Sequence, residues 1–496
     1  MELPGCGTVL LIFMLTFLMT LWVKRKGKQS KLPPGPTPLP FLGNLLQIDF
    51  KNIVEEFVKF GSKYGPVSMA YLGPKKVLIL NGYDVVREAF LDNAEVFSDR
   101  PRLAIPEMVF KGHGLIFTNG ERWRQMRRFT LSTLRNFGMG KRSLEARVQE
   151  EARCLGEEFE KRSGTFFDPT FLITLGVSNV VCAIVFEDRY DYEDKDFLDM
   201  LALMKETFQS VTSSWAQIFD LAPNLLKHFP GPHTRLFKNF DKLRKYVMEK
   251  VKSHEGTMDE NCPRDYIDCF LIKMSQEKGN PTTEFTYDNL IVNLIHLFLA
   301  ATETTSTSLT YAIIILLKYP DITKKMQEEI DHIIGSSRCP SVEDWIKMPF
   351  TDAVIHEIQR FTDIAPLGVP RATNQDTVLR GYHIPKGVTV FPMITSALKD
   401  SKYFRDPYIF DPGHFLDEQG NLKKLEAFIP FSIGKRVCLG EGLARMEIFL
   451  FLTYLLQKFD LKCEKDPEDI DVSPIPNRGS YVPRPYQISV TLRNIF

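Results

Sequence analysis

From residue 44 to residue 496 there is no Gly/Ser-rich linker, internal repeat or low-complexity tract, so nothing divides this stretch into a string of modules. Net charge is missing too. The 62 Lys and Arg offset 62 Asp and Glu, which removes the general electrostatic case for nucleic acid, and no nucleic-acid-binding motif takes its place. Eight cysteines (Cys6, Cys154, Cys182, Cys262, Cys269, Cys339, Cys438 and Cys463) form no Cys-x-x-Cys pair and no Cys/His zinc spacing. They read as reduced thiols, since a disulfide framework belongs to small secreted domains. The one zinc-like run, His356-Glu357-Ile358-Gln359-Arg360, has Arg where a zincin helix needs its second His. A Gly-x-Gly-x-x-Gly nucleotide fingerprint is also absent.

What is present is a large apolar content, 44% of residues, enough for one extended core. Residues 6–23 are uncharged and mostly Leu, Met, Phe and Thr, near the length that crosses a bilayer core. Lys24, Arg25, Lys26, Lys28 and Lys31 follow. Charge after the apolar run, with no small-residue cleavage site, predicts a retained anchor with the rest of the chain on the cytoplasmic side. Leu32-Pro33-Pro34-Gly35-Pro36-Thr37-Pro38-Leu39-Pro40 excludes helix and predicts a stiff extended arm. The organisation expected is an anchor over 1–23, a basic and proline-rich hinge over 24–43, and a single catalytic domain over 44–496.

Val67–Leu72 and Val77–Leu80 flank Gly73-Pro74 and read as a β-hairpin. Helical spacing or composition marks 145–161, 196–208, 236–253, 322–334 and 443–459, and short strands are expected at 388–391 and 488–490. No Gly or Pro interrupts 282–319, so one helix of roughly 45 Å can cross the domain. The fold class expected is mainly α with a small β region.

In Phe431-Ser432-Ile433-Gly434-Lys435-Arg436-Val437-Cys438-Leu439-Gly440, two glycines flank a cysteine that precedes an apolar helix. Glycine allows close backbone approach and a tight loop, and a helix N-terminus lowers a thiol's pKa. Phe431 shields the loop, and Arg436 can pair with an anion. A lone cysteine is usually plain core, but the spacing Phe-x-x-Gly-x-Arg-x-Cys-x-Gly resembles the cysteine-ligand loop of the cytochrome P450 superfamily. In the middle of the long segment, Ala300-Ala301-Thr302-Glu303-Thr304 puts Leu297, Ala300, Ala301 and Thr304 on one face. Small side chains leave room for a flat ring, and Thr304 with Glu303 can deliver protons to reduced oxygen. The competing reading is helix bending by Ser/Thr bonds to preceding carbonyls. Family members usually have Gly where Ala301 stands, which points to a narrower or less kinked oxygen site here.

The resemblance, strongest toward vertebrate microsomal family 2 members and extending over nearly the whole chain, implies further roles. It implies a P450 fold with haem b between the long helix and the cysteine loop, Cys438 as the iron ligand, and Ala300 and Ala301 against the ring. Trp123, Arg127, Arg100 and Arg371 join Arg436 around the haem propionates. Glu357 and Arg360, which alone read as an ordinary surface pair, become with His414 a structural lock. The substrate pocket would draw on Phe110, Ile116, Phe117, Phe208, Phe298, Ala300, Ala301, Thr304, Ala365, Leu367, Val369 and Tyr481, with Lys205, Gln209 or Arg478 as conceivable carboxylate partners. Basic residues Arg122, Arg124, Arg128, Arg135, Lys141 and Arg142 would meet an acidic partner. The activity implied is O₂-dependent hydroxylation or epoxidation of lipophilic xenobiotics or unsaturated fatty acids such as arachidonic acid. Electrons would come from NADPH through a flavoprotein reductase, with cytochrome b5 as a further partner, at the endoplasmic reticulum membrane. Two alternatives remain: a haem-thiolate isomerase or dehydratase that uses peroxides without reductase, and a membrane-anchored haem- or ligand-binding protein without turnover.

Overall fold

The computed structural model describes residues 16, 31–136, 142–211, 213–475 and 480–493. The expected anchor lies outside them apart from Thr16, as do Lys141, the side chain of Arg142, and Arg478. Among the described residues no helix is long and apolar enough to cross a membrane.

The uninterrupted segment forms one α-helix, Tyr287–Lys318, of 32 residues. At 1.5 Å per residue it is about 48 Å long. Thr286 caps its start by accepting from the Asn289 N–H, and the chain leaves the helix at Tyr319 before Pro320. This central helix is buried along nearly its whole length because helices surround it. The largest packing partner is Thr170–Val185, itself buried on almost every side. That helix is absent from the sequence-based expectations: being apolar all round it has no amphipathic period to read. The helix Glu441–Lys458 also packs on the central helix and is likewise buried over most of its length.

Other expected helices form with earlier starts: Arg142–Glu160, Lys195–Val211, Pro232–Glu255 and Pro320–Ile333. Lys161, Ile334 and Phe459 fall one residue past the observed ends. Phe459 turns to extended backbone and opens a strand after the helix ends at Lys458.

The hairpin forms as expected, with β1 (Val67–Leu72) antiparallel to β2 (Lys75–Asn81), Leu72 opposite Lys75 and Gly73-Pro74 at the turn. Gly73 takes φ +60°, a conformation glycine reaches without steric cost. Downstream come β3 (Arg371–Ala372), the pair β4 (Thr377–Leu379) and β5 (Tyr382–Ile384), and β6 (Thr389–Met393). The main sheet has the order β1-β2-β6-β3, with β2 and β6 parallel. A second two-stranded sheet pairs β7 (Phe459–Cys463) with β8 (Ile488–Leu492). Both faces of the main sheet are covered. Leu78, Leu80 and Val390 face one apolar cluster with Phe90 and Phe97, whereas Val77, Ile79 and Met393 face another with Phe57. Successive side chains alternate across a strand, so one ribbon joins two cores.

Candidate functional site

Between Phe90 and the helix Glu441–Lys458 the cysteine loop is held by its backbone. Ser432 and Gly434 have φ of +61° and +77°, a short 3₁₀ turn covers Gly434–Arg436, and the Cys438 N–H donates to the Phe431 carbonyl at 2.9 Å. A Cβ on Gly434 would sit 2.0 Å from the Phe90 carbonyl oxygen, so this glycine is required twice, by φ and by space. Gly440 differs. Its φ is −91° and a Cβ there would meet no protein atom within 4 Å, so nothing in the polypeptide demands glycine, and the open side is a cradle that a Cβ would fill.

Cys438 has exposed surface, yet protein crowds it enough that burial is the largest influence on its thiol. The exposure is therefore onto an interior chamber. Burial raises the thiol's pKa, and the backbone N–H groups of Gly440 and Glu441, with the charge of Arg127, only partly oppose it. In the polypeptide by itself, burial outweighs the helix start and the loop's N–H groups that were expected to favour a thiolate. A bound metal cation is what deprotonates such a thiol.

Four arginines stand around this loop. Arg436 donates to the Ser98 and Thr118 carbonyls (2.8 and 2.7 Å) and to Asn119 Oδ1 (2.9 Å), with its guanidinium 3.8 Å above the Trp123 ring. Arg371 lies 3.6 Å over Phe90 and donates to Ser432 Oγ at 3.1 Å. Arg100 donates to the carbonyls of Ile116, Val369 and Pro370, and Arg127 to that of Val437 at 2.7 Å. Among the described residues none of the four pairs with a carboxylate, and Nη1 of both Arg371 and Arg436 is buried without a partner. Burial, and then mutual repulsion, pulls Arg100 down to about 9 and Arg371 and Arg436 down to about 8. Burial alone lowers Arg127, so three of the four arginines are held down partly by their neighbours' charge, and the cluster as a whole suits an anionic group. Trp123 serves as a stacking platform for Arg436. Asn119, which also clamps the Arg100 backbone through both its amide atoms, was not foreseen. A single Asn before a helix carries no distinguishing sequence signal.

On the central helix, Ala300 and Thr304 are exposed and Leu297, Ala301 and Glu303 half-buried within an otherwise buried element. This stripe is the helix's open face. The helix stays α through Ala301, and the Thr304 hydroxyl donates to the Ala300 carbonyl at 2.7 Å. The back-bonding is therefore present, and proton delivery requires that hydroxyl to rotate. Ala365 and Val369 are exposed, and Ile116, Phe117, Phe208 and Tyr481 half-buried. Phe110 (6%) and Leu367 (7%) keep little surface. Phe298 keeps none and packs against Phe186, so its ring belongs to the core, contrary to its expected place in the pocket.

The lock is buried. Arg360 makes a two-pronged pair with Glu357, both bonds 2.7 Å, and donates to the carbonyls of Leu398, Pro407 and Ile409. His414 Nδ1 lies 3.2 Å from both Glu357 oxygens, and the Asp411 N–H donates to the same carboxylate. Neither Glu357 nor Arg360 has any exposed side-chain surface, which excludes an ordinary surface pair.

The family model described as Cytochrome P450 matches residues 33–490. The chain belongs to the cytochrome P450 family. Cytochrome P450 2C20 of Macaca fascicularis is 52% identical over 97% of this chain and 98% of its own length. Cytochrome P450 2C8 of Homo sapiens is 50% identical over the same shares, and cytochrome P450 2B4 of Oryctolagus cuniculus 48% over 98% and 99%. This cytochrome P450 is accordingly an oxidoreductase of the monooxygenase type, related to family 2. Its residues fit a haem: a buried thiol to ligate iron, a cationic cluster with orphaned donors for two carboxylates, and open space beside Gly440.

Proposed function

We propose that this cytochrome P450 hydroxylates or epoxidises lipophilic xenobiotics and unsaturated fatty acids, arachidonic acid among them, with NADPH electrons delivered by a flavoprotein reductase. The supporting observation is the conjunction of Cys438 with four buried or half-buried arginines that lack carboxylate partners. Haem bound through a cysteine thiolate supplies reductive activation of O₂, one atom entering the substrate and the other leaving as water.

The chain's own residues do the rest. Cys438 would hold the iron as a thiolate, its proton leaving to water. Arg100, Arg127, Arg371 and Arg436 would hold the propionates, and each carboxylate would relieve the crowding of positive charge there. Thr304 would turn its Oγ1–H from the Ala300 carbonyl into the chamber and pass that proton to reduced oxygen, and the adjacent Glu303 would relay a replacement proton from water to Oγ1. Apolar groups at Ile116, Phe117, Ala365 and Val369 exclude water and bind the substrate through area. Arg128 and Arg135 are exposed and make no ion pair among the described residues, so they are available to an acidic reductase face or to cytochrome b5. Arg122 is taken up by Glu284 and the Gly112 carbonyl, which thins the basic patch read from sequence. Residues 1–23 anchor the protein in the endoplasmic reticulum membrane, with hinge and catalytic domain on the cytosolic side.

The test is purified protein with reductase, NADPH and a lipophilic probe, alongside the carbon monoxide difference spectrum. The thiolate-type spectrum with NADPH-dependent product is expected. A thiolate-type spectrum without that product defeats the monooxygenase assignment, and turnover of a peroxide substrate without reductase identifies the isomerase alternative.

A further inference from the structure

Ala104–Phe110 is a helix of seven residues that leads into the loop of Ile116 and Phe117, and its two ends are held differently. At the C-terminal end the Phe110 ring stacks on Phe117 at 6.0 Å and meets Phe240 edge-on at 5.1 Å. The N-terminal end has no cap of its own, because Leu103 stands in the capping position and its side chain makes no cap bond. Asp220, 116 positions away, supplies one: its Oδ1 accepts from the Ala104 N–H at 2.6 Å. A helix this short does not hold itself together in water, so its place depends on what packs against it and caps it.

Asp220 is itself tied down on two sides. Its Oδ2 pairs with Lys75 Nζ at 2.5 Å, and the same ammonium donates to the Asp220 main-chain carbonyl at 2.9 Å. Lys75 opens β2 of the main sheet. Asp220 lies near the end of the helix Ser214–Leu221, where its neighbour Phe219 is fully buried against His233 and Phe237 of the helix Pro232–Glu255. One carboxylate therefore joins the sheet, the 214–221 helix and the short helix. The ion pair with Lys75 is partly exposed, 40% on the lysine side, and is correspondingly weak, which leaves the cap on Ala104 as the stronger hold. Along one flank of the short helix the packing is open: a cleft of about 180 Å³ lies among Met108, Val109, Phe110, Phe237, Phe240 and Ile295. Close-packed interiors resist displacement, and this cleft is where a shift of the helix meets least resistance.

We propose that Asp220 is a positioning residue for substrate selection: by capping the helix Ala104–Phe110 from across the fold, it fixes the wall that carries Phe110 and so sets how strictly the chamber excludes bulky molecules. This rests on Phe110 and Phe117 bordering the substrate site, as the proposed function has it. With the cap in place the helix is pinned at both ends, by Asp220 at one and by the aromatic rings at the other. Without it, the N-terminal end is free to shift toward the cleft, and the wall yields to larger ligands.

The experiment titrates the haem spectrum of the purified holoenzyme with 1-phenylimidazole and with clotrimazole, two azoles that share an imidazole and differ in bulk. Asp220→Ala should bind clotrimazole about 3- to 10-fold more tightly relative to 1-phenylimidazole than wild type does, the range set by the loss of one helix cap. Asp220→Asn keeps an acceptor for the Ala104 N–H and loses only the charge, so its ratio should stay within about 2-fold of wild type. A second readout needs no ligand: trypsin cleavage after Arg102, exposed just ahead of the helix, should speed up in Asp220→Ala and not in Asp220→Asn. The carbon monoxide spectrum of each variant reports its folding. An unchanged azole ratio or an unchanged cleavage rate in correctly folded Asp220→Ala overturns the proposal, as does an equal change in Asp220→Asn, which would place the effect in the charge and not in the cap. Wild type that binds both azoles, with the ratio unmoved in Asp220→Ala, leaves the proposed function intact, whereas wild type that binds neither removes the substrate-site reading and the role of Asp220 with it.

Discussion

Gly434→Ala tests how the cysteine loop is held. At φ +77° an L-residue bears about 1–2 kcal/mol of strain. The new Cβ would also lie 2.0 Å from the Phe90 carbonyl oxygen and 3.0 Å from its carbonyl carbon. Cβ contacts under 3.0 Å essentially never occur, so the loop has to retreat by roughly 1 Å, and overpacking of that kind adds about 1–3 kcal/mol. The combined cost is about 2–5 kcal/mol. Phe90 cannot yield freely, since its ring lies under the Arg371 guanidinium at 3.6 Å. The displacement passes to Cys438, four residues on. Purified Gly434→Ala should unfold at lower urea than wild type and show much of its carbon monoxide difference spectrum moved away from the thiolate form. Gly440→Ala is the companion: with no protein atom within 4 Å of the added Cβ, it should leave the haem-free polypeptide's stability unchanged and reduce haem retention. An unaltered spectrum and urea midpoint for Gly434→Ala would refute the steric reasoning.

Arg360→Leu strands the fully buried Glu357 carboxylate and three backbone carbonyls, at a cost of about 3–5 kcal/mol, read as a fall in urea midpoint. The reverse outcome, stability equal to wild type, would mean that water enters the lock. His254 makes the stability pH-dependent. Burial lowers its pKa, but the 2.6 Å contact and charge of Asp265 outweigh it, and the folded value lies above the ordinary 6.5. The folded state thus holds the proton more tightly, so this contribution is full below about pH 6.5 and fades as pH rises through the folded value; His254→Gln should flatten that part of the stability–pH curve. Ala301→Gly should change product distribution or coupling while costing only about 1 kcal/mol of helix stability, and an identical product profile would count against that position touching the oxygen site. Cys438→Ala should abolish the thiolate-type spectrum whatever the substrate.

The cysteine loop was legible because its constraints are local: a positive-φ glycine, a thiol and a helix start lie within ten residues. The long helix was legible because Gly and Pro are excluded from it, and the β1–β2 hairpin because alternation and Gly73-Pro74 agree. The helix Thr170–Val185 was not, since burial on all sides erases amphipathic period. The family resemblance also assigned Phe298 to the pocket, but the side of a buried helix facing a ligand is decided by neighbours such as Phe186. Nor could it show that the thiol is destabilised as an anion. That balance depends on how much protein surrounds Cys438, not on the residues beside it in sequence.

The parallel pairing of β2 with β6 ties Val77 to Thr389, 312 positions later. During synthesis at about 5–20 residues per second, the β1–β2 ribbon waits on the order of 15–60 s with one edge open while the helical body emerges. Because loop closure over such a separation is slow, the sheet closes late. Arg371, on the short strand that pairs with β6, can join Arg100 only after that closure. The anion site is therefore among the last features to be assembled, and a chain halted before residue 389 would have neither the closed sheet nor the cationic cluster, and its open strand edge would be a template for aggregation.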